Sequence, residues 1–176
     1  MIHLVLGGAR SGKSRFAEQR VAEYAAIGYS CVYVATATAL DHEMTQRIAK
    51  HQQDRVFSAH SWTLHEQAFD VAQTLKAIDK PQQVILVDCL TLLLTNHLLD
   101  SNPERWPQQK SLLLECLTQL HSDVVLVSNE VGSGIVPMGE LNRQFVDEAG
   151  WLNQAIANMA DQVTLVVAGL PLALKA

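Results

Sequence analysis

At 176 residues, with 48% hydrophobic and 18% charged side chains, the chain has the make-up of one globular domain with room for a substantial core, which excludes a disordered or fibrous protein. A net charge of −5 without a cluster of Lys and Arg points away from nucleic acid as a partner, although a local basic site for a small anion is still allowed. Three widely spaced cysteines, Cys31, Cys89 and Cys116, fit neither a disulfide framework nor paired zinc ligands, and no apolar run is as long as a membrane span. Reduced, buried thiols and a cytoplasmic location are the expectation, with no signal peptide ahead of the first strand.

In chain order, the apolar run 2–6 predicts a buried strand that leads straight into a glycine-rich loop. Gly7, Gly8, Ala9, Arg10, Ser11, Gly12, Lys13 and Ser14 spell G-x-x-x-x-G-K-[ST], and Phe16, Ala17 and Val21 then follow at helical spacing. Glycine lets main-chain amides curl around an anion, and the helix start turns its unpaired N–H groups on the same phosphates. Lys13 is the expected contact of the β and γ oxygens of a nucleoside triphosphate, and Ser14 the expected hydroxyl ligand of its Mg²⁺.

A second strand at 31–35 runs into ATATALD, and the segment 41–55 reads as a helix capped by Asp41. On it Arg47, His51 and Arg55 recur every fourth residue and share a face. Two guanidinium groups there can hold a phosphate chain while keeping the imidazole neutral and nucleophilic. A solvated basic helix face has the same pattern. His42-Glu43 opens like a zinc-protease motif, but Gln46 stands where the second histidine belongs.

Phe69, Ala72, Leu75 and Ile78 mark the next helix, and the strand at 84–88 ends in Asp88, where folds of this kind place a metal-orienting carboxylate. SNPERWPQQ, around Pro103 and Pro107, reads as a surface loop, and Leu113, Leu117 and Leu120 as a helix face. After the strand 124–128 comes a glycine-rich loop, 129–139, that suits a substrate-side role, with Glu130 as a candidate for orienting a hydroxyl or a metal-bound water. Leu141, Phe145, Leu152, Ile156 and Met159 form a core seam, the strand 163–167 follows, and AGLP closes the series of loops. Five buried strands alternate with helices and leave no hairpin spacing, which predicts an α/β, three-layer P-loop NTPase-type fold: a mainly parallel central sheet flanked by helices, with ligand-binding loops along one edge.

GGARSGKSR, ATATALDHEM, RIAKHQQDR, VDCLTLLLTN, SNEVGSGIVP and AGLPLALK, in this order over nearly the whole chain, resemble the bifunctional adenosylcobinamide kinase/adenosylcobinamide-phosphate guanylyltransferases of cobalamin biosynthesis. The block Arg47, Ile48, His51 and Arg55 is the most distinctive. The resemblance implies two reactions. A nucleoside triphosphate, ATP or GTP, phosphorylates adenosylcobinamide with Lys13, Ser14, Asp88 and Mg²⁺. His51 then takes GMP from GTP, releases pyrophosphate and passes GMP to adenosylcobinamide phosphate.

It further implies nucleotide contacts from Ala35, Thr36, Ala37, Gln52, Gln53, Asp54, Arg55, Glu66 and Asp88, metal ligation by Ser14 and Asp88, and a homotrimer. Two departures from the family pattern stand out: VFSAHS is longer than the usual Pro-containing link, and Leu93 replaces a frequent tryptophan. The residues alone also allow a P-loop kinase for another small metabolite, or a nucleotide-dependent regulatory binder, although the switch and guanine-reading motifs of the latter are missing.

Overall fold

The computed structural model describes residues 1–38, 61–102, 104–136 and 138–176. Its elements are β1 (Ile2–Gly7), α1 (Lys13–Ala26), β2 (Ser30–Ala35), β3 (Trp62–Glu66), α2 (Val71–Ile78), β4 (Gln83–Asp88), α3 (Leu90–Leu98), α4 (Arg105–Leu117), β5 (Asp123–Asn129), α5 (Glu140–Met159), β6 (Gln162–Val167) and β7 (Leu170–Lys175). The strands form one sheet in the order β3-β2-β4-β5-β1-β6-β7. All neighbours are parallel except β6 and β7.

The central strands form because both of their faces are covered. Val84, Ile85, Leu86 and Val87 of β4 are fully buried, as are Val124 to Val127 of β5. One face packs on α2, α3, α4 and α5 through Leu75, Leu94, Leu113, Leu152 and Ile156. The other packs on α1 through Ala17 and Val21, with Val5, Leu86, Val125 and Val127 beneath them. Helices therefore lie on both faces of a mainly parallel sheet, as expected, and among the described residues no helix is long and apolar enough to cross a membrane.

Four local expectations are corrected. The described sheet has seven strands, not five. The additional two, β3 and β7, are its edges, where much of each strand meets solvent; β3, WTLHE, lacks an apolar run, and β7, LPLALK, is apolar but carries Pro171. AGLP is a hairpin rather than a parallel-strand loop: Ala168 and Gly169 take φ of 51° and 80°, both central residues left-handed, and β7 returns antiparallel to β6. Pro171 is accommodated because β7 is an edge.

The segment around Pro107 is not a loop. Arg105 opens α4, Pro107 falls in its first turn, where a missing N–H costs no helical bond, and Trp106 is buried with its indole donating to Glu148 at 2.7 Å. The core seam starts late as well, since Leu141 is exposed and α5 contributes full burial only from Ala149 onward.

Candidate functional site: the edge shared by the phosphate loop and Asp88

Parallel pairing brings the C-terminal ends of the strands to one edge. β1 ends in Gly7, and the loop turns into α1 at Gly12, which caps the helix at φ 93°. That left-handed conformation is open to glycine at little cost, and an added Cβ would also meet the Cα of Gly169 at 3.2 Å. Gly7 is closed to any side chain for a different reason: a Cβ there would lie 2.4 Å from Ser11 Oγ and 2.6 Å from the Val166 carbonyl. The β6–β7 turn braces the loop, since the Gly169 amide donates to the Ser11 carbonyl at 2.8 Å. Lys13 is nearly buried at the start of α1, and its ammonium donates to the Gly8 carbonyl at 3.1 Å.

Asp88 ends β4 in register with Ala35 of β2, which is itself in register with Glu66 of β3. The Tyr33 hydroxyl donates to Asp88 Oδ2 at 3.0 Å, fixing the carboxylate rotamer and leaving Oδ1 for another partner. The Asp88–Cys89 peptide is cis. Thr36, fully buried, clamps this turn: its hydroxyl donates to the Cys89 carbonyl at 2.7 Å and accepts from the Cys89 amide at 2.8 Å. Asn96 of α3 donates to the carbonyls of Thr36 and Ala68, tying the ends of β2 and β3 together. Burial and the neighbouring Asp88 charge push the Cys89 thiol up to about 11, so it stays protonated and is no nucleophile.

These features pair an amide-lined anion cradle with a carboxylate on the next strand but one, the arrangement of a nucleotide phosphotransferase. The family model for cobinamide kinase / cobinamide phosphate guanyltransferase matches residues 3–174. The chain belongs to this family. It is 51% identical to the bifunctional adenosylcobalamin biosynthesis protein CobP of Pseudomonas aeruginosa, covering 99% of this chain and 98% of that protein. It is 38% identical to the bifunctional adenosylcobalamin biosynthesis protein CobU of Escherichia coli, over 99% of this chain and 100% of that one.

Among solved structures, a KaiC-like protein from the hyperthermophilic archaeon Pyrococcus horikoshii is similar at TM-score 0.50 and 15% identity, covering 93% of this chain and 69% of that one. The flagellar accessory protein FlaH of Methanocaldococcus jannaschii matches at TM-score 0.53 and 13% identity, covering 99% and 77%. At such identities these two speak for the fold alone.

Of the site residues expected of a family member, the structure brings Gly7 to Ser14, Ala35, Ala37, Glu66 and Asp88 to one edge, with Glu66 exposed at the far strand. Thr36 sits at this edge with its polar groups already engaged. Its amide, carbonyl and hydroxyl pair with Asp88, Asn96 and Cys89, so it shapes the edge. Arg47, His51, Gln52, Gln53, Asp54 and Arg55 lie outside the described residues, as do Asp41 and His42.

Glu130 turns back on its own loop, one carboxylate oxygen accepting from the Gly132 amide at 2.7 Å and from the Ser133 hydroxyl at 3.3 Å. Sequence reasoning missed Tyr33 and Gly169. Tyr33 lies 55 positions from Asp88 and becomes its neighbour only through the pairing of β2 with β4. Gly169 reads as a turn glycine until β7 is known to fold back beside β6.

Proposed function

We propose that this chain phosphorylates the aminopropanol hydroxyl of adenosylcobinamide with a nucleoside triphosphate, then transfers GMP from GTP to the product, giving adenosylcobinamide-GDP and pyrophosphate. The observation that carries the reading is the phosphate loop sharing its edge with Asp88 in a chain matched from residue 3 to residue 174 by the family. In the first reaction the loop amides and the N-terminus of α1 bind the phosphates, and Lys13 exchanges the Gly8 carbonyl for phosphate oxygens.

The residues present suit a magnesium ion: Ser14 Oγ and the Asp88 oxygen not bonded to Tyr33 are hard oxygen donors, and among the described residues no cluster of three His, Cys, Asp or Glu forms a separate cage. When bound, the ion neutralises charge on the transferred phosphoryl group. Donation from Tyr33 keeps Asp88 oriented for that purpose.

In the second reaction His51 attacks the α-phosphorus of GTP. A P–N bond forms as the bond to pyrophosphate breaks. An oxygen of adenosylcobinamide phosphate then displaces the imidazole, with Arg47 and Arg55 holding the phosphate chain. Three buried free thiols favour a reducing compartment, the cytoplasm. A homotrimer follows from the family resemblance, and the exposed leucines of edge strand β7, Leu170, Leu172 and Leu174, provide apolar surface for a contact between chains.

The test is to supply adenosylcobinamide with ATP, with GTP, or with both, and to follow product masses. Lys13→Ala should abolish the first product, while His51→Ala should accumulate it without the second. A wild-type protein that phosphorylates the corrinoid yet never adds GMP would reduce the assignment to a kinase, and one that does neither would end it.

A further inference from the structure

Asn129 ends β5, the strand lying between β4, which carries Asp88, and β1, which carries the phosphate loop. Its register partner is Gly7, and it stands two positions beyond Val127, the partner of Asp88. Side chains alternate along a strand, and Val125 and Val127 face the α1 side of the sheet, so Asn129 faces that side too. On the same side α1 begins with Lys13 and Ser14, and the Tyr33 hydroxyl meets Asp88. The Asn129 backbone carbonyl is held from α5 by the Asn153 carboxamide at 3.3 Å.

The side-chain Oδ1 of Asn129 is buried and has no hydrogen-bond partner, as is Ser11 Oγ, which lies beside Gly7. A buried polar atom without a partner is destabilising, and folded proteins keep few of them without a use.

The phosphate loop follows β1 and Asp88 ends β4, with β5 between them, so a triphosphate held by Lys13 and by a metal on Asp88 would have its terminal phosphate above the end of β5. A carboxamide there has both groups such a ligand needs: an N–H for a phosphate oxygen and a carbonyl oxygen for the proton of an attacking hydroxyl. It is neutral and moves no proton. Its effect is to hold the phosphorus and the incoming oxygen in line.

We propose that Asn129 is a contact of the terminal phosphate, beside Lys13 and Asp88, that favours triphosphate over diphosphate and aligns phosphoryl transfer. The proposal rests on the kinase reading of this edge. A mere brace for the loop, for instance through Ser11, would affect every nucleotide alike.

The experiment compares Asn129→Ala and Asn129→Asp with the full wild-type chain. Calorimetry with magnesium measures ADP and the β,γ-imido analogue of ATP, adenine nucleotides being chosen to avoid GMP transfer. Turnover of adenosylcobinamide with ATP is measured separately.

ADP affinity should stay within about twofold, affinity for the analogue should fall about tenfold, and kcat should drop about 100-fold, as for loss of one aligned donor. The KM for the corrinoid should not move. Asp keeps the shape of Asn but adds negative charge, so it should be at least as defective as Ala. Equal losses for ADP and the analogue, or wild-type affinity and kcat in both variants, would overturn the assignment. Binding needs no turnover, so it decides the role of Asn129 even if the corrinoid proves not to be phosphorylated, a result that would instead strike the kinase reading.

Discussion

Replacing Thr36 by valine keeps the volume and the β-branch of a fully buried residue while deleting its hydroxyl. The Cys89 amide then loses its acceptor, which stood at 2.8 Å, while the Cys89 carbonyl loses one donor, at 2.7 Å, and keeps the Leu93 amide at 3.1 Å. The one group left orphaned, the buried Cys89 amide, costs about 1–3 kcal/mol. Unfolding entropy of roughly 2.1 cal/mol/K per residue over 176 residues gives about 0.37 kcal/mol/K, which converts that loss to a fall in Tm of about 3–8 °C. Thr36→Ser keeps the hydroxyl and loses one methyl, about 1 kcal/mol or about 3 °C. Scanning calorimetry on the two variants decides the matter by their order. Valine should be worse than serine; if serine is the more destabilised, Thr36 acts by packing and the clamp on the turn after Asp88 is wrong.

Tyr33→Phe removes the donor to Asp88 Oδ2 and should lower the phosphorylation kcat about tenfold or less while raising the magnesium concentration needed for half-maximal rate; an unchanged metal titration counts against the orienting role. Gly169→Ala places a Cβ in open space but at φ 80°, so strain of about 1–2 kcal/mol acts alone, lowering Tm by about 3–5 °C and weakening nucleotide binding through the Ser11 brace. His3, nearly sealed beneath Phe16 with Nε2 against the Thr164 hydroxyl, is lowered to about 4 by burial and by the Arg20 charge. Above pH 6.5 folded and unfolded chains both hold it neutral; between pH 6.5 and 4 the unfolded chain takes up the proton first, so stability falls with pH through that window. Urea titrations should show that fall in the wild type and a shallower one in His3→Asn, and parallel curves would refute the assignment to His3.

What could be read from sequence was what lies close together along the chain or is buried from both sides. The phosphate loop is one contiguous segment between a strand and a helix, and β4 and β5 carry the unbroken apolar runs 84–87 and 124–127 because helices cover both of their faces. Edge strands carry no such signal: β3 reads WTLHE with mostly exposed positions, and β7 is exposed throughout. Thr36 and Asn129 show the limit for the site. Thr36 follows β2 and Asn129 ends β5, each in a motif that carries the family resemblance, yet one is turned inward onto Cys89 and the other has a buried unpartnered oxygen beside Gly7. Only the register of β2, β4, β5 and β1 separates those two roles.

Guanylyl transfer through His51 is tested most directly with GTP labelled at the α-phosphate. The denatured wild-type chain should retain acid-labile, alkali-stable label, and His51→Ala should retain none. Label that persists in the variant would place the nucleophile on another residue, and a wild-type chain that never takes up label would contradict a covalent histidine intermediate altogether.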